Sequence, residues 1–461
     1  VTTTRSSSPS PDLAAVPPQL RTAAAVAELA GWAASLRWED VPPQVRDRLE
    51  LVLLDTLAIT ALGAGLPEQR ALVEVWSPPP GPAPLVGGGT STTADVAAHL
   101  NAVALVSLEL DEGNKYARGH PAAHAFPAVL ALAAETAADG PTTAAALLVA
   151  YEVACRFGRA TRLRAGAHPH GNWGVAGAAA GAARLLGLDA AATAAAIDAG
   201  SALPVAGHFA AALDGNPVRN TWMGLSNVSG LVAVRMAQAG LARNTGSAAV
   251  SLGGLLGDFD ERELVDGLGN RWDITLGYFK RHASCSYTHP AADAVLDLRG
   301  EVRAEDVTAI VVETHTLGAG LDRTSWDSRL GAMFSTPFVV ASALLAGVVG
   351  PDQSGRSRDD PAIAALAARV QVVAAPDIDA RLPAERAVRV RVRTTDGAEV
   401  VREVPNPIGD ADHRPFDAAG LAALLSTLLG SPQRVQRIAE CARALPSATS
   451  VREVLAPLAT V

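Results

Sequence analysis

The stretch AVRVRVRTTDGAEVVREV, residues 387–404, decides the fold class. Val388, Val390 and Val392 recur with the period of two that a half-buried strand requires, and Asp396-Gly397 is a strong hairpin turn leading into a second apolar run. Upstream, DVTAIVVETHTLG from Asp306 alternates apolar and β-branched positions and reads as another strand. Helical spacing is found between the two, over Thr336 to Gly347 and Pro361 to Ala368. Strands and helices mixed in this way predict a small α+β domain over residues 279–412.

On both sides the pattern is helical. From about Gln19 to Gly277 the chain is dominated by Ala and Leu, with turns marked by Gly, Pro or Asp. RDRLELVLLDTLAITALGAG from Arg46 is apolar on most faces and ends in glycine, as a buried helix does. AAHAFPAVLALAAETAADGPTTAAALLVAYEVACRFGRATRL from Ala122 reads as two helices broken at Asp139-Gly140-Pro141. GVAGAAAGAARLLGLDAAATAAAIDAG from Gly174 is a second pair, rich in small residues that let helices approach closely. Helical periodicity returns from Phe416. The expected architecture is therefore mainly α: a large all-helical domain formed by both chain ends, residues 20–278 and 413–461, with the α+β part inserted, and a flexible tail over 1–19.

Among 461 residues, 49% are hydrophobic and 18% charged, with a formal net charge of −9. This balance argues against broad binding to nucleic acid or an anionic membrane, and no apolar stretch is convincing as a bilayer span. Cys155, Cys285 and Cys441 lie far apart and spell neither a disulfide framework nor a metal motif, which fits a reduced, cytoplasmic setting. Of the 38 basic residues only Lys115 and Lys280 are lysine. Where arginine has replaced lysine almost everywhere, a retained lysine hints that an ammonium is needed.

The ionisable residues gather in Gly- and Pro-marked loops at helix starts. ELDEGNKYARGHPAAH from Glu109 holds Asp111, Glu112, Asn114, Lys115, His120 and His124; it reads either as a carboxylate–histidine proton-transfer pair or as a polar loop of turn and capping bonds. GAHPHGNWG from Gly166 is a second His-Pro loop, with His168 and His170, which could equally be a capped loop with one core histidine. LDGNPVRNTWMG from Leu213 presents Arg219, either a site cation or a surface charge. FKRHASCSYTHPAAD from Phe279 carries Lys280, Arg281, His282, Cys285, Tyr287 and His289 at the domain junction, where pockets commonly form.

Taken in order, these loops, together with DTLAITALGAG at Asp55, GLSNVSGLVAVRMAQAGL at Gly224 and FSTPFVVASALLAG at Phe334, resemble the MmgE/PrpD family, whose activities include dehydration, decarboxylation and epimerisation of small carboxylates. The resemblance implies that the inserted domain is a lid. It further implies a homodimer and a cofactor- and metal-free active site at the domain junction for a small carboxylate substrate. Carried onto this chain, it makes Asp111 (or Glu112 in the other register), His120, His168 and Lys280 the catalytic candidates, and Asn114, Lys115, Arg219, His282 and Phe338 substrate-binding candidates. Two positions depart from the decarboxylase-like members: Arg219 stands for a lysine and Phe338 for a tyrosine. Arginine keeps the charge and gains bidentate carboxylate recognition, but it is a poor acid or base. The activity implied is a lyase of the dehydratase type, working by proton abstraction next to a carboxylate; epimerisation or decarboxylation of a related acid, or non-catalytic ligand binding, are the alternatives.

Overall fold

The eight longest helices of the first half of the chain in the computed structural model, which describes residues 16–461, are α1 (Pro18–Ser35), α2 (Pro43–Ala64), α3 (Ala94–Val106), α4 (Pro121–Thr136), α5 (Gly140–Ala160), α6 (Val175–Leu185), α7 (Ala190–Ser201) and α8 (Val218–Gln238). Helix α1 buries Val26, Leu29, Ala30 and Ala33, the stripe that 3.6-residue periodicity produces. Helices α4 to α6 are buried on nearly every face, as their composition demands. Small residues set their spacing: a Cβ on Gly177 or Gly181 of α6 would lie 2.6 Å from atoms of Ala150 in α5, a separation no side chain tolerates. The expected break between α4 and α5 is present. Asp139 caps α5 by accepting from the Thr142 amide, and Pro141 occupies its first turn.

The sheet follows the hairpin reading. Strands β1 (Val307–Thr314), β2 (Val370–Ala374), β3 (Val388–Thr394) and β4 (Glu399–Val404) form one sheet in the order β4-β3-β1-β2. All neighbours are antiparallel except β1 and β2. Val388, Val390 and Val392 are buried, whereas Arg389, Arg391 and Arg393 point outward and pair with Glu313, Glu399 and Glu403. Strand β2 is absent from the sequence reading. It is the return strand of a parallel crossover through α10 (Thr336–Ala346) and α11 (Pro361–Ala367), with α9 (His289–Leu298) lying ahead of the sheet in the chain.

Two main hydrophobic cores result. The larger runs from Ala25 through Ala283 and resumes at Leu421, because α12 (Ala418–Leu429) and α13 (Pro432–Ala444) pack on α2. Arg452 fastens the chain end to α4 by donating to the carbonyls of Ala134 and Glu135 in its last turn, each at 2.7 Å. The second core, from Ala291 to Val404, lies between the sheet and helices α9 to α11. Of the stretch read as a tail, residues 1–15 lie outside the described residues, and Pro18 and Gln19 already form the first turn of α1. Among the described residues no single helix is long and apolar enough to cross a membrane.

Candidate active site

The loop between α3 and α4 is folded by its own polar groups. Asn114 Oδ1 accepts from the amides of Tyr116 and Ala117, its Nδ2 donates to the Asp273 carbonyl, and Gly113–Asn114 pairs with Gly277–Tyr278. This brings the segment that carries Lys280 against the acidic loop. Glu112 is buried inside the turn: its Oε1 accepts from the Ala122 amide in the first turn of α4 at 2.7 Å, and Oε2 accepts from the Tyr151 hydroxyl at 3.1 Å. Burial pushes its carboxyl up to about 8. Glu112 is thus a structural acid, and Asp111 is the loop carboxylate that faces the histidine.

His120 caps α4. Its Nδ1 lies 2.7 Å from the Glu112 carbonyl and 3.2 Å from Asp111 Oδ2, so the ring proton sits on Nδ1 and Nε2 keeps its lone pair for the pocket that His120 lines. Burial lowers the affinity of His120 for a second proton, only partly offset by Asp111. Burial opposes ionisation of Asp111, but His120, Lys280 and Arg219 more than reverse this and hold it below the usual carboxylate range. Close packing fixes the loop: a Cβ on Gly119 would lie 2.6 Å from Cζ2 of Trp173.

His168 and His170 enter from the loop ahead of α6, and Arg219 from the first turn of α8. The Arg219 guanidinium reaches Glu109 Oε1 at 2.5 Å, and its Nη2 lies 3.3 Å from His170 Nε2. His168 Nδ1 accepts from the His170 amide at 3.1 Å, and the Arg219 Nε–H is aimed at His168 Nε2 at 3.4 Å, so donors meet both ring nitrogens and hold the ring beside the Arg219 guanidinium. Burial, followed by the Arg219 charge, drives both histidines well below their ordinary range, and both are neutral near pH 7. Lys280 Nζ lies 3.5 Å from Glu109 Oε2 and 3.4 Å from Asp111 Oδ1. Burial opposes its charge, but these two carboxylates reverse the effect and raise its proton affinity.

These groups surround a pocket of about 330 Å³ between the helical body and the sheet-bearing part. His120, His168, Arg219, Asn114 and Lys115 line it, whereas Asp111 and Lys280 lie beneath its floor. Lys115 lines one wall, but its ammonium is held by Asp410, Asp412 and the Ala384 carbonyl. Two candidates are elsewhere. Phe338 is in the first turn of α10 and buried in the sheet-side core, its ring 4.8 Å from that of Trp326; the nearby Phe334 lines the pocket instead, and Arg219 lies over its ring at 5.3 Å. His282 is turned away onto Asp293, 3.0 Å from Oδ1, and packs on His289. The nearby Cys285 lines the pocket as a thiol, since burial pushes it up to about 11.

Sequence reasoning named Glu109 and His170 in the quoted loops but assigned neither a role, and had no signal for Arg118, Arg162 and Arg386 as pocket residues. Glu109 carries a signal of its own in the structure, a left-handed backbone at φ 52° that turns its carboxylate under Arg219 and Lys280. The charges can be balanced. Arg219, Lys280, Lys115 and Arg386 face Glu109, Asp111, Asp410 and Asp412, four cations against four carboxylates. Arg118 and Arg162 also line the pocket and make no ion pair among the described residues. Counting the lining residues together with the groups they pair with, positive charges exceed negative by two. Among the described residues no group of three or more His, Cys, Asp or Glu side chains converges as metal ligands would.

Over 93% of its length the chain is 25% identical to a cis-aconitate decarboxylase of Aspergillus terreus, covering 94% of that protein. It is 26% identical to a cis-aconitate decarboxylase-like protein of Aspergillus oryzae, covering 93% of this chain and 96% of the relative. The profile of the MmgE/PrpD N-terminal domain matches residues 27–261, and that of the MmgE/PrpD C-terminal domain matches residues 282–445. Helical body, sheet-bearing insertion and the histidine pocket between them thus fall within one pair of matched domains, and the chain belongs to the MmgE/PrpD family.

Proposed function

We propose that the protein is a cofactor-independent lyase of the dehydratase type acting on a small polycarboxylate. The observation that carries this reading is the pairing of a neutral His120, with Nε2 free and Nδ1 held by Glu112 and Asp111, with a pocket that carries two unmatched positive charges. Removing a proton next to a carboxylate builds charge on the carboxylate oxygens, so the site needs a base on one face and cations around the acceptor. His120 Nε2 takes the proton, and the imidazolium formed is balanced by Asp111. Arg219 approaches the developing charge from the pocket wall, while Lys280 fixes Asp111 and Glu109 from below. The His120 imidazolium then passes a proton to the leaving hydroxyl, with neutral His168 held beside Arg219 where a substrate carboxylate binds, and water and an alkene are the products.

A second reading, decarboxylation, is favoured by the similarity to cis-aconitate decarboxylases over 93% of the chain. Epimerisation draws less support, since Phe338, whose departure from the family tyrosine would set the chain apart from the decarboxylase-like members, sits in the sheet-side core. Incubating the protein with citrate, 2-methylcitrate and cis-aconitate, while following alkene absorbance and released carbon dioxide, separates the first two. Solvent deuterium entering a stereocentre without elimination identifies the third. In the lyase reading His120→Ala lowers the rate by about 10²- to 10⁴-fold; no turnover of any hydroxy- or alkene-polycarboxylate would overturn it. The same reading takes the sheet-bearing part as the lid and a homodimer as the working unit. The exposed apolar row Val218, Leu225, Val232 and Met236 on α8 supports the dimer, which sedimentation tests.

A further inference from the structure

We infer that Arg118 and Arg162 form a subsite for a carboxylate of the substrate that lies away from the reacting carbon. The inference rests on the polycarboxylate reading and adds where the second acid group is held. Every other cation at the pocket already faces a carboxylate of the protein, so binding a substrate acid at Arg219 or Arg386 means sharing the guanidinium with Glu109 or Asp410. Arg118 and Arg162 have no such partner; even Asp258, opposite Arg162 on the neighbouring strand, makes no ion pair with it.

Their placement is built. Arg118 stands two residues before His120 with a left-handed backbone, φ 56°, a conformation that costs a non-glycine residue of order 1–3 kcal/mol unless its surroundings impose it. Its Nη1 donates at 2.9 Å to the carbonyl of Thr161, the residue next to Arg162 in the strand Thr161–Leu163. One backbone bond therefore anchors a guanidinium beside its like-charged neighbour, in the lining of the pocket that His120 serves. Two guanidiniums brought together without a counter-charge match a carboxylate, which each can bind with two parallel hydrogen bonds. Acids with a single carboxylate engage the reacting end alone and leave this pair unused.

The test is calorimetric titration with tricarballylate, a tricarboxylate that has no hydroxyl to lose, against wild type, R118Q, R162Q and the double variant, alongside turnover. Each charge-assisted interaction is worth about 1.5–3 kcal/mol. Tricarballylate affinity should thus fall about 10- to 100-fold in each single variant, with R162K retaining part of it. KM for a turned-over polycarboxylate should rise in step while kcat stays within about 3-fold, since neither residue touches the reacting atoms. R162Q decides alone should R118Q fail to fold, because the Arg162 side chain makes no hydrogen bond to the described residues. Unchanged affinity in R162Q and in the folded double variant overturns the subsite, and so does a wild type that does not bind tricarballylate. Loss of binding in the variants without turnover by any protein sustains the subsite and removes the lyase reading; turnover with unaffected variants does the reverse.

Discussion

Replacing Asp111 by Asn removes one charge from beneath His120 and nearly nothing else, since the amide has the shape of the carboxylate. With Asp111 Oδ2 3.2 Å from His120 Nδ1, the attraction between carboxylate and imidazolium is about 5 kcal/mol at an effective dielectric of about 20. Lys280 shares the same carboxylate at 3.4 Å, and halving the attraction for this competition leaves about 2–3 kcal/mol by the same arithmetic. At 1.36 kcal/mol per tenfold, the plateau rate of the variant falls about 30- to 150-fold. The pH profile carries the sign. Asp111 raises the proton affinity of His120, so its loss moves the acid limb of kcat/KM to lower pH even as the plateau drops. Titration of the ¹⁵N-labelled histidines by NMR follows the same group without relying on turnover. An acid limb left in place, with a plateau within about 3-fold of wild type, would refute the assignment of Asp111 as the partner of the base.

Three further substitutions probe the frame around that pair. Gly119→Ala drives a methyl into the ring of Trp173 and is expected to cost about 1–3 kcal/mol in thermal or urea unfolding; an unchanged melting temperature would count against the close packing described. Lys115→Met leaves Asp410 with Arg386 alone and should destabilise by about 3 kcal/mol, measured by denaturant midpoint, with high salt changing the difference little because the ammonium is buried. Glu112→Gln bears on pH. The folded-state value of about 8 lies above the unfolded 4.5, so wild type holds the proton more tightly when folded and loses stability as pH rises through that window. The variant should show a shallower decline between pH 5 and 8, though some decline persists because Glu152 is raised in the same way; identical slopes would dismiss Glu112 as a buried protonated acid.

What could be read in advance depended on how local its cause was. Asp139-Gly140-Pro141 ends one helix and starts the next by backbone chemistry confined to three residues, and the valines of 388–392 carry their own face with them. VQVVA at 370–374 has no such signature: it is a strand because Val370 finds Ile310, sixty residues earlier, along a parallel ladder. The site divides in the same way. His120 and Asp111 meet because one short loop holds both, and His168 shares a loop with His170. Arg162 reaches the pocket only because its strand pairs with Gly257–Phe259, and Arg386 because Asp410 and Tyr278 hold it there. Phe338 misled because it lies inside α10 and packs into the sheet-side core, whereas Phe334, four residues earlier and ahead of that helix, faces Arg219.

The scarcity of lysine has a practical consequence. Both amino side chains are sealed, Lys115 at 1% and Lys280 at 0% side-chain exposure, and each spans from the helical body to the insertion or to the segment leading into it. A lysine-specific protease therefore has two cleavage points in 461 residues, at the seam that holds the pocket, and an amine-acylating reagent finds its internal targets in the same two places. The rate at which residues 115 and 280 become acylated, followed by peptide mapping, is thus a clock for the parting of that seam, and a ligand that closes the pocket should slow it.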